Sequence, residues 1–76
     1  MKYKAHDINF YFGNNLRKIR ESKGYSQDDF ASLCNISRAY YGRIERGEHS
    51  ITLDRCALIA QALSIHISDL FLDLPD

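Results

Sequence analysis

The sequence has no apolar run that could cross a bilayer. Stretches such as Leu70-Phe71-Leu72 fall far short of the roughly 20 residues a spanning helix needs. The opening Met1-Lys2-Tyr3-Lys4 lacks the apolar stretch of a signal peptide, so the expected location is the cytoplasm, with no membrane partner. There is no CxxC pair. The two cysteines, Cys34 and Cys56, read as buried thiols in a reducing compartment. There is also no phosphate-binding glycine-rich loop and no nucleophile–base pair, and His6, His49 and His66 are too scattered for a metal. Neither an enzyme nor a bound cofactor or metal is expected.

Net charge is absent too, but the zero hides a division. Positions 1–47 carry nine Lys/Arg against five Asp/Glu, and positions 48–76 carry one against five. Such lopsidedness points to a nucleic-acid face. The 76 residues make one expected domain, with an ordinary 45% hydrophobic content and neither repeats nor low-complexity segments. A chain this short buries a modest core, which association with a second copy would extend.

The apolar spacing is helical. Ile8, Phe12, Leu16 and Ile19 form one stripe, stopped by Gly24. Ser26 caps a second helix, with Asp29 three residues on and Phe30, Ala31, Leu33 and Cys34 on its apolar face. That helix ends at Asn35, a residue that tolerates the left-handed conformation, and Ser37 caps a third helix closed by Gly47. After a loop over 48–51, Thr52 caps a fourth helix with Asp54 in its first turn. Leu53, Cys56, Ala57, Ile59, Ala60 and Leu63 make it apolar on more than one side, so it is expected to be the most buried helix. Ser68 and Asp69 open a final turn or two over Leu70 to Leu74, stopped by Pro75. The expected fold is all-α: five compact helices, no strand and no linker.

Two short helices joined by a tight turn allow one to brace the other in a DNA major groove. At about 100° per residue, Tyr40, Tyr41, Ile44 and Glu45 of the third helix fall on one side, and Arg38, Ala39, Gly42, Arg43 and Arg46 on the other. The second side suits a groove. Ala39 and Gly42 allow close backbone approach, and an arginine can bind guanine O6 and N7 through two hydrogen bonds.

The segments Leu16-Arg17-Lys18-Ile19-Arg20, Tyr25-Ser26-Gln27-Asp28-Asp29-Phe30-Ala31, Ile36-Ser37-Arg38, Ile44-Glu45-Arg46-Gly47, Thr52-Leu53 and Ile59-Ala60-Gln61-Ala62-Leu63 carry a resemblance. Over about 12–72, with a motif at 27–46, the chain resembles the phage-repressor (XRE-type) helix-turn-helix family. Gln27, Ala31 and Ile44 match its pattern, whereas Asn35 stands in place of a glycine and Tyr41 in place of an aliphatic residue. The Ser37-Arg38-Ala39-Tyr40 opening of the third helix is most similar to controller proteins of restriction-modification systems.

The resemblance implies a homodimer that binds double-stranded DNA at a short palindromic operator and regulates transcription. It implies base contacts from Arg38, Ala39 and Arg43 and phosphate contacts from Ser26 and Gln27; by their places at the ends of the third helix and in the loop after it, Ser37, Arg46 and His49 are expected at phosphates as well. Arg20 and Glu45 fall where the family pairs helix one with helix three, a scaffold role. Tyr40 is open to three roles, as core, phosphate ligand or base contact, with boundary packing preferred. Asp28 and Asp29 form an acidic spot where relatives touch RNA polymerase, or merely favour the helix dipole. Tyr3, Phe10 and Tyr11, with Leu72 and Leu74, exceed the needs of a small core and are expected at a dimer interface. The rival reading is an antitoxin or regulatory subunit of the same fold whose main task is binding a partner protein.

Overall fold

The computed structural model describes residues 5–72 and 74, with side chains from Asp7 onward. Four helices follow in order, α1 (Ala5–Ser22), α2 (Gln27–Leu33), α3 (Arg38–Glu45) and α4 (Leu53–Leu63), and a 3-10 turn (Ile67–Phe71) closes the chain. No strand occurs among the described residues.

Local chemistry sets the boundaries. Ser26 Oγ accepts from the Asp29 N–H at 3.0 Å and Ser37 Oγ from the Tyr40 N–H at 3.1 Å, each satisfying an orphan donor at a helix start. Thr52 caps α4 through the Arg55 N–H at 3.4 Å. Asn35 does adopt the left-handed conformation, at φ 57°. Beside it the Ile36 N–H reaches back to the Ala31 carbonyl at 2.9 Å and reverses the chain between α2 and α3. Ser64, at φ 59°, ends α4 in the same way.

Phe12, Leu16, Phe30, Ala31, Tyr41, Ile44, Ile59, Leu63 and Leu70 form the core, together with both buried thiols, Cys34 and Cys56. Gly13 lies where α1 crosses the end of α3. A Cβ there would sit within 2.4 Å of the Ile44 and Glu45 carbonyl oxygens, so only glycine allows the crossing.

Two expectations change. α4 is not buried all round: Cys56, Ile59, Ala60 and Leu63 face the core, but Leu53 is 76% exposed and Ala57 and Leu58 are exposed as well. The described residues cover one side of this helix only. The fifth element is a 3-10 turn that starts at Ile67, before Ser68, and not a helix running to Leu74. Asp69 accepts from the His66 N–H at 3.2 Å, and the Asn15 amide holds the Asp69 and Leu70 carbonyls at 3.1 and 2.8 Å. Those carbonyls are therefore engaged by α1, and the chain is already extended at Leu72. The expectations for Tyr3 and for Pro75 lie outside the described residues.

Candidate nucleic-acid interface

α3 has a locked back and an open front. On the back, Arg20 Nε donates to Glu45 Oε2 at 2.6 Å and Arg20 Nη2 to Glu45 Oε1 at 3.1 Å, a two-point pair between α1 and α3. Both side chains are at least nine-tenths buried. Arg20 Nη1 also donates to the Tyr25 carbonyl at 2.7 Å, tying down the chain that leads into α2. Tyr41 Oη donates to the same carboxylate, so the aromatic residue standing where the family has an aliphatic brings a donor into the core. Burial alone would raise the Glu45 carboxyl, but the bonds from Arg20, Tyr41 and Gln27 outweigh it and hold the group below its ordinary 4.5. Burial and the bond to Glu45 push the Tyr41 hydroxyl well above its ordinary 10.0.

The front carries Arg38, Ala39, Arg43 and Arg46, all exposed. Gln27, expected at a phosphate, donates one amide N–H to the buried Glu45 Oε1 at 2.7 Å. Two details of the front add to expectation. Gly42, expected to admit a close backbone approach, is buried under arginine side chains. Its Cβ would meet Arg38 Nη1 at 2.8 Å and Arg46 Nη1 at 3.0 Å. Asp28 is not simply an acidic spot, since Arg38 Nε pairs with its Oδ1 at 2.8 Å. At the other end Arg46 Nε donates to Glu48 Oε2 at 2.8 Å, and the hydrogen bond from Arg46 holds the Glu48 carboxyl below its ordinary value.

Ser26 and Ser37 stand at the starts of α2 and α3 as their caps, with exposed side chains. His49 is exposed beside α3, its ring 5.6 Å from that of Tyr40, which is half-buried at the boundary as expected. Arg55 was not anticipated. Its guanidinium stacks 4.8 Å over the Tyr40 ring, carrying the lone base of the acidic half onto the flank of α3. Its isolation among acids was the one signal in the sequence. Of the residues expected at an interface, Phe10, Tyr11 and Leu72 are exposed and Leu74 is half-buried; Leu53 and Leu58 of α4 are exposed apolar residues not in that set.

No metal-holding group of His, Cys, Asp or Glu occurs among the described residues, and none of their helices is long and apolar enough to cross a membrane.

Comparison with known proteins agrees with this geometry. A helix-turn-helix family model matches residues 16–70. Control protein C.MunI of a Mycoplasma species is 39% identical, the match covering 90% of this chain and 93% of that protein. Control protein C.BamHI of Bacillus amyloliquefaciens is 38% identical, over 87% and 83% respectively. The crystal structure of the restriction-modification controller protein C.AhdI from Aeromonas hydrophila superposes with a TM-score of 0.86 at 35% identity, over 91% of this chain and 100% of that one. With an all-helical fold, a braced α2–α3 pair and relatives that are regulators and not enzymes, the chain belongs to the phage-repressor-like (XRE-type) helix-turn-helix family, as a DNA-binding transcription regulator of the controller-protein type.

Proposed function

We propose that the protein binds a short palindromic operator as a homodimer, with α3 of each copy in the major groove. The observation that carries this reading is the division of α3 into a back fixed by Glu45 and a front of three guanidiniums. Arg38 and Arg43 read base edges, with Ala39 between them in contact range. Ser26, Ser37, Arg46 and His49 engage phosphates on either side. Gln27 Nε2 carries a second N–H beside the one given to Glu45, so the same amide supports α3 and remains able to donate to a phosphate.

A two-fold dimer would set two α3 helices about 34 Å apart, one turn of duplex DNA. Exposed apolar side chains supply a reason to pair: Leu53 and Leu58 on α4, and Leu72 just beyond the 3-10 turn.

Selection of bound sites from random duplex DNA, at two salt concentrations, tests the reading. A palindromic consensus whose affinity falls steeply with salt is expected. Absence of any consensus sinks it. For the dimer, Leu53→Asp with Leu72→Asp should give monomers in sedimentation and much weaker operator binding. A wild-type protein that stays monomeric at high micromolar concentration, on DNA and off it, removes the dimer.

A further inference from the structure

Two of the three front arginines are engaged by carboxylates of their own chain, and the two are held differently. Arg46 meets Glu48 at two points, Nε to Oε2 at 2.8 Å and Nη2 to Oε1 at 3.3 Å. Arg38 meets Asp28 at one point, Nε to Oδ1 at 2.8 Å, while its Nη1 lies over Gly42, 2.8 Å from where a Cβ would stand. Asp28 sits in the first turn of α2 and Arg38 in the first turn of α3, so the contact crosses the turn between the two helices. Gly42 makes room on the other side of the same guanidinium. One long, flexible side chain thus has a carboxylate of α2 beside its Nε and the bare Gly42 backbone of its own helix beside its Nη1.

We propose that Asp28 is a specificity-determining positioning residue, which aims Arg38 at a base edge and withholds it from phosphate. The inference rests on the DNA-reading role of α3 given above and goes on to assign how one of its arginines is controlled. A guanidinium carries five N–H donors in a fixed fork, so a carboxylate on Nε leaves donors on both Nη atoms to meet two acceptors on a guanine. The same carboxylate offsets the positive charge that a phosphate would attract, and it brings a negative charge close to the backbone of any duplex. A base edge presents polar acceptors without a net charge and is therefore penalised less. Phosphate contacts, which every sequence offers, are penalised more. The orienting effect also lowers the freedom Arg38 loses on binding, a gain realised only where a matching base is present.

The test compares wild type, Asp28→Asn, Asp29→Asn and Arg38→Ala by site selection and by affinity for the selected operator and for random duplex. Asp29 neighbours Asp28 and is exposed, so its variant makes the same change in net charge. Asp28→Asn should lose the preference at one base pair per half-site and bind random duplex about 2–5-fold more tightly, lowering the operator-to-random ratio. Asp29→Asn should keep the wild-type consensus and ratio. Adding Asp28→Asn to Arg38→Ala should remove no further base preference, because Asp28 acts through Arg38. Asp28→Ala provides a second variant, and melting and far-UV helicity are followed for each. An unchanged consensus and ratio in folded Asp28→Asn and Asp28→Ala would overturn the proposal while leaving the DNA-reading role intact, and so would an equal effect from Asp29→Asn. A wild type that selects no site overturns both together.

Discussion

The two sides of α3 carry the same chemistry, arginine against carboxylate, to opposite ends. On the back, Arg20 and Glu45 are out of water, and Tyr41 and Gln27 occupy the carboxylate's remaining acceptor sites. On the front, the side chains of Arg38 with Asp28 and of Arg46 with Glu48 are each about half exposed or more. A buried pair that loses a partner leaves an unpaired charge in a medium that cannot solvate it, whereas a surface pair contributes about 0–1 kcal/mol and exchanges readily. Burial turns one pair into a fixture and leaves the others available to a new partner.

The sharpest way to break this contrast is Glu45→Gln. The substitution leaves Arg20 buried with a neutral partner and should cost about 3–5 kcal/mol of stability, read from urea or thermal unfolding. DNA binding should fail with it, because α3 loses its attachment to α1. A loss below about 1 kcal/mol would mean that the back pair behaves like a surface pair.

Acid and base should probe the same site. The folded Glu45 carboxyl ionises below its ordinary 4.5, so its stabilisation is complete above that value and is lost as pH falls through the lower folded value. Tyr41 works in the opposite direction. Its folded hydroxyl holds its proton past the ordinary 10.0, so stability falls as pH rises above about 10, where the unfolded chain ionises first. Wild type should lose stability at both extremes in a pH series of unfolding midpoints. Tyr41→Phe should flatten the alkaline limb, and an unchanged limb there would assign it to other groups.

Much of α3's placement could be read from neighbours in sequence. Ser26 and Ser37 stand at the starts of their helices because a short hydroxyl there reaches a free backbone N–H of the first turn, and Asn35 turns the chain because its own backbone tolerates the left-handed region. The pairing of Arg20 with Glu45 came from family resemblance, since 25 positions separate them. Choices among distant partners were not legible. Gln27 gives an N–H to Glu45, Arg38 and Arg46 fold over Gly42, and Arg55 crosses to Tyr40. Each outcome depends on which acceptor or surface the fold brings within reach. Gly13 offered a signal that went unused: a glycine inside a helix costs about 1 kcal/mol against alanine, and here it permits the crossing of α1 over α3.

On the front, Arg43 gives the largest expected effect on binding with the least on folding. It is exposed, one turn into α3. Arg43→Ala should cost about 1–3 kcal/mol on the best operator and relax the preference at one position per half-site, while stability changes by less than about 0.5 kcal/mol. If the variant unfolds, or selects an unchanged site, the groove-facing side of α3 is placed wrongly.

Arg46→Ala should have the smallest effect and a different character. Arg46 caps the end of α3, and Glu48 already neutralises much of its charge. On the proposed reading, its loss should remove a phosphate contact and, in the same step, release Glu48 as an uncompensated negative charge beside the DNA. Specific and random duplex should weaken together, with the consensus unchanged. The slope of log affinity against log salt should become shallower by about 1, because one phosphate fewer sheds its counterion. Stability should hold within about 0.5 kcal/mol, since a half-exposed pair contributes little to folding. Restoring neutrality with Glu48→Gln on the Arg46→Ala background should recover part of the affinity for both kinds of duplex. If it recovers none, Glu48 acts on Arg46 alone and not on the DNA field. If Arg46→Ala shifts the consensus, Arg46 reads a base, and the front of α3 extends a full turn further into the groove than Arg43.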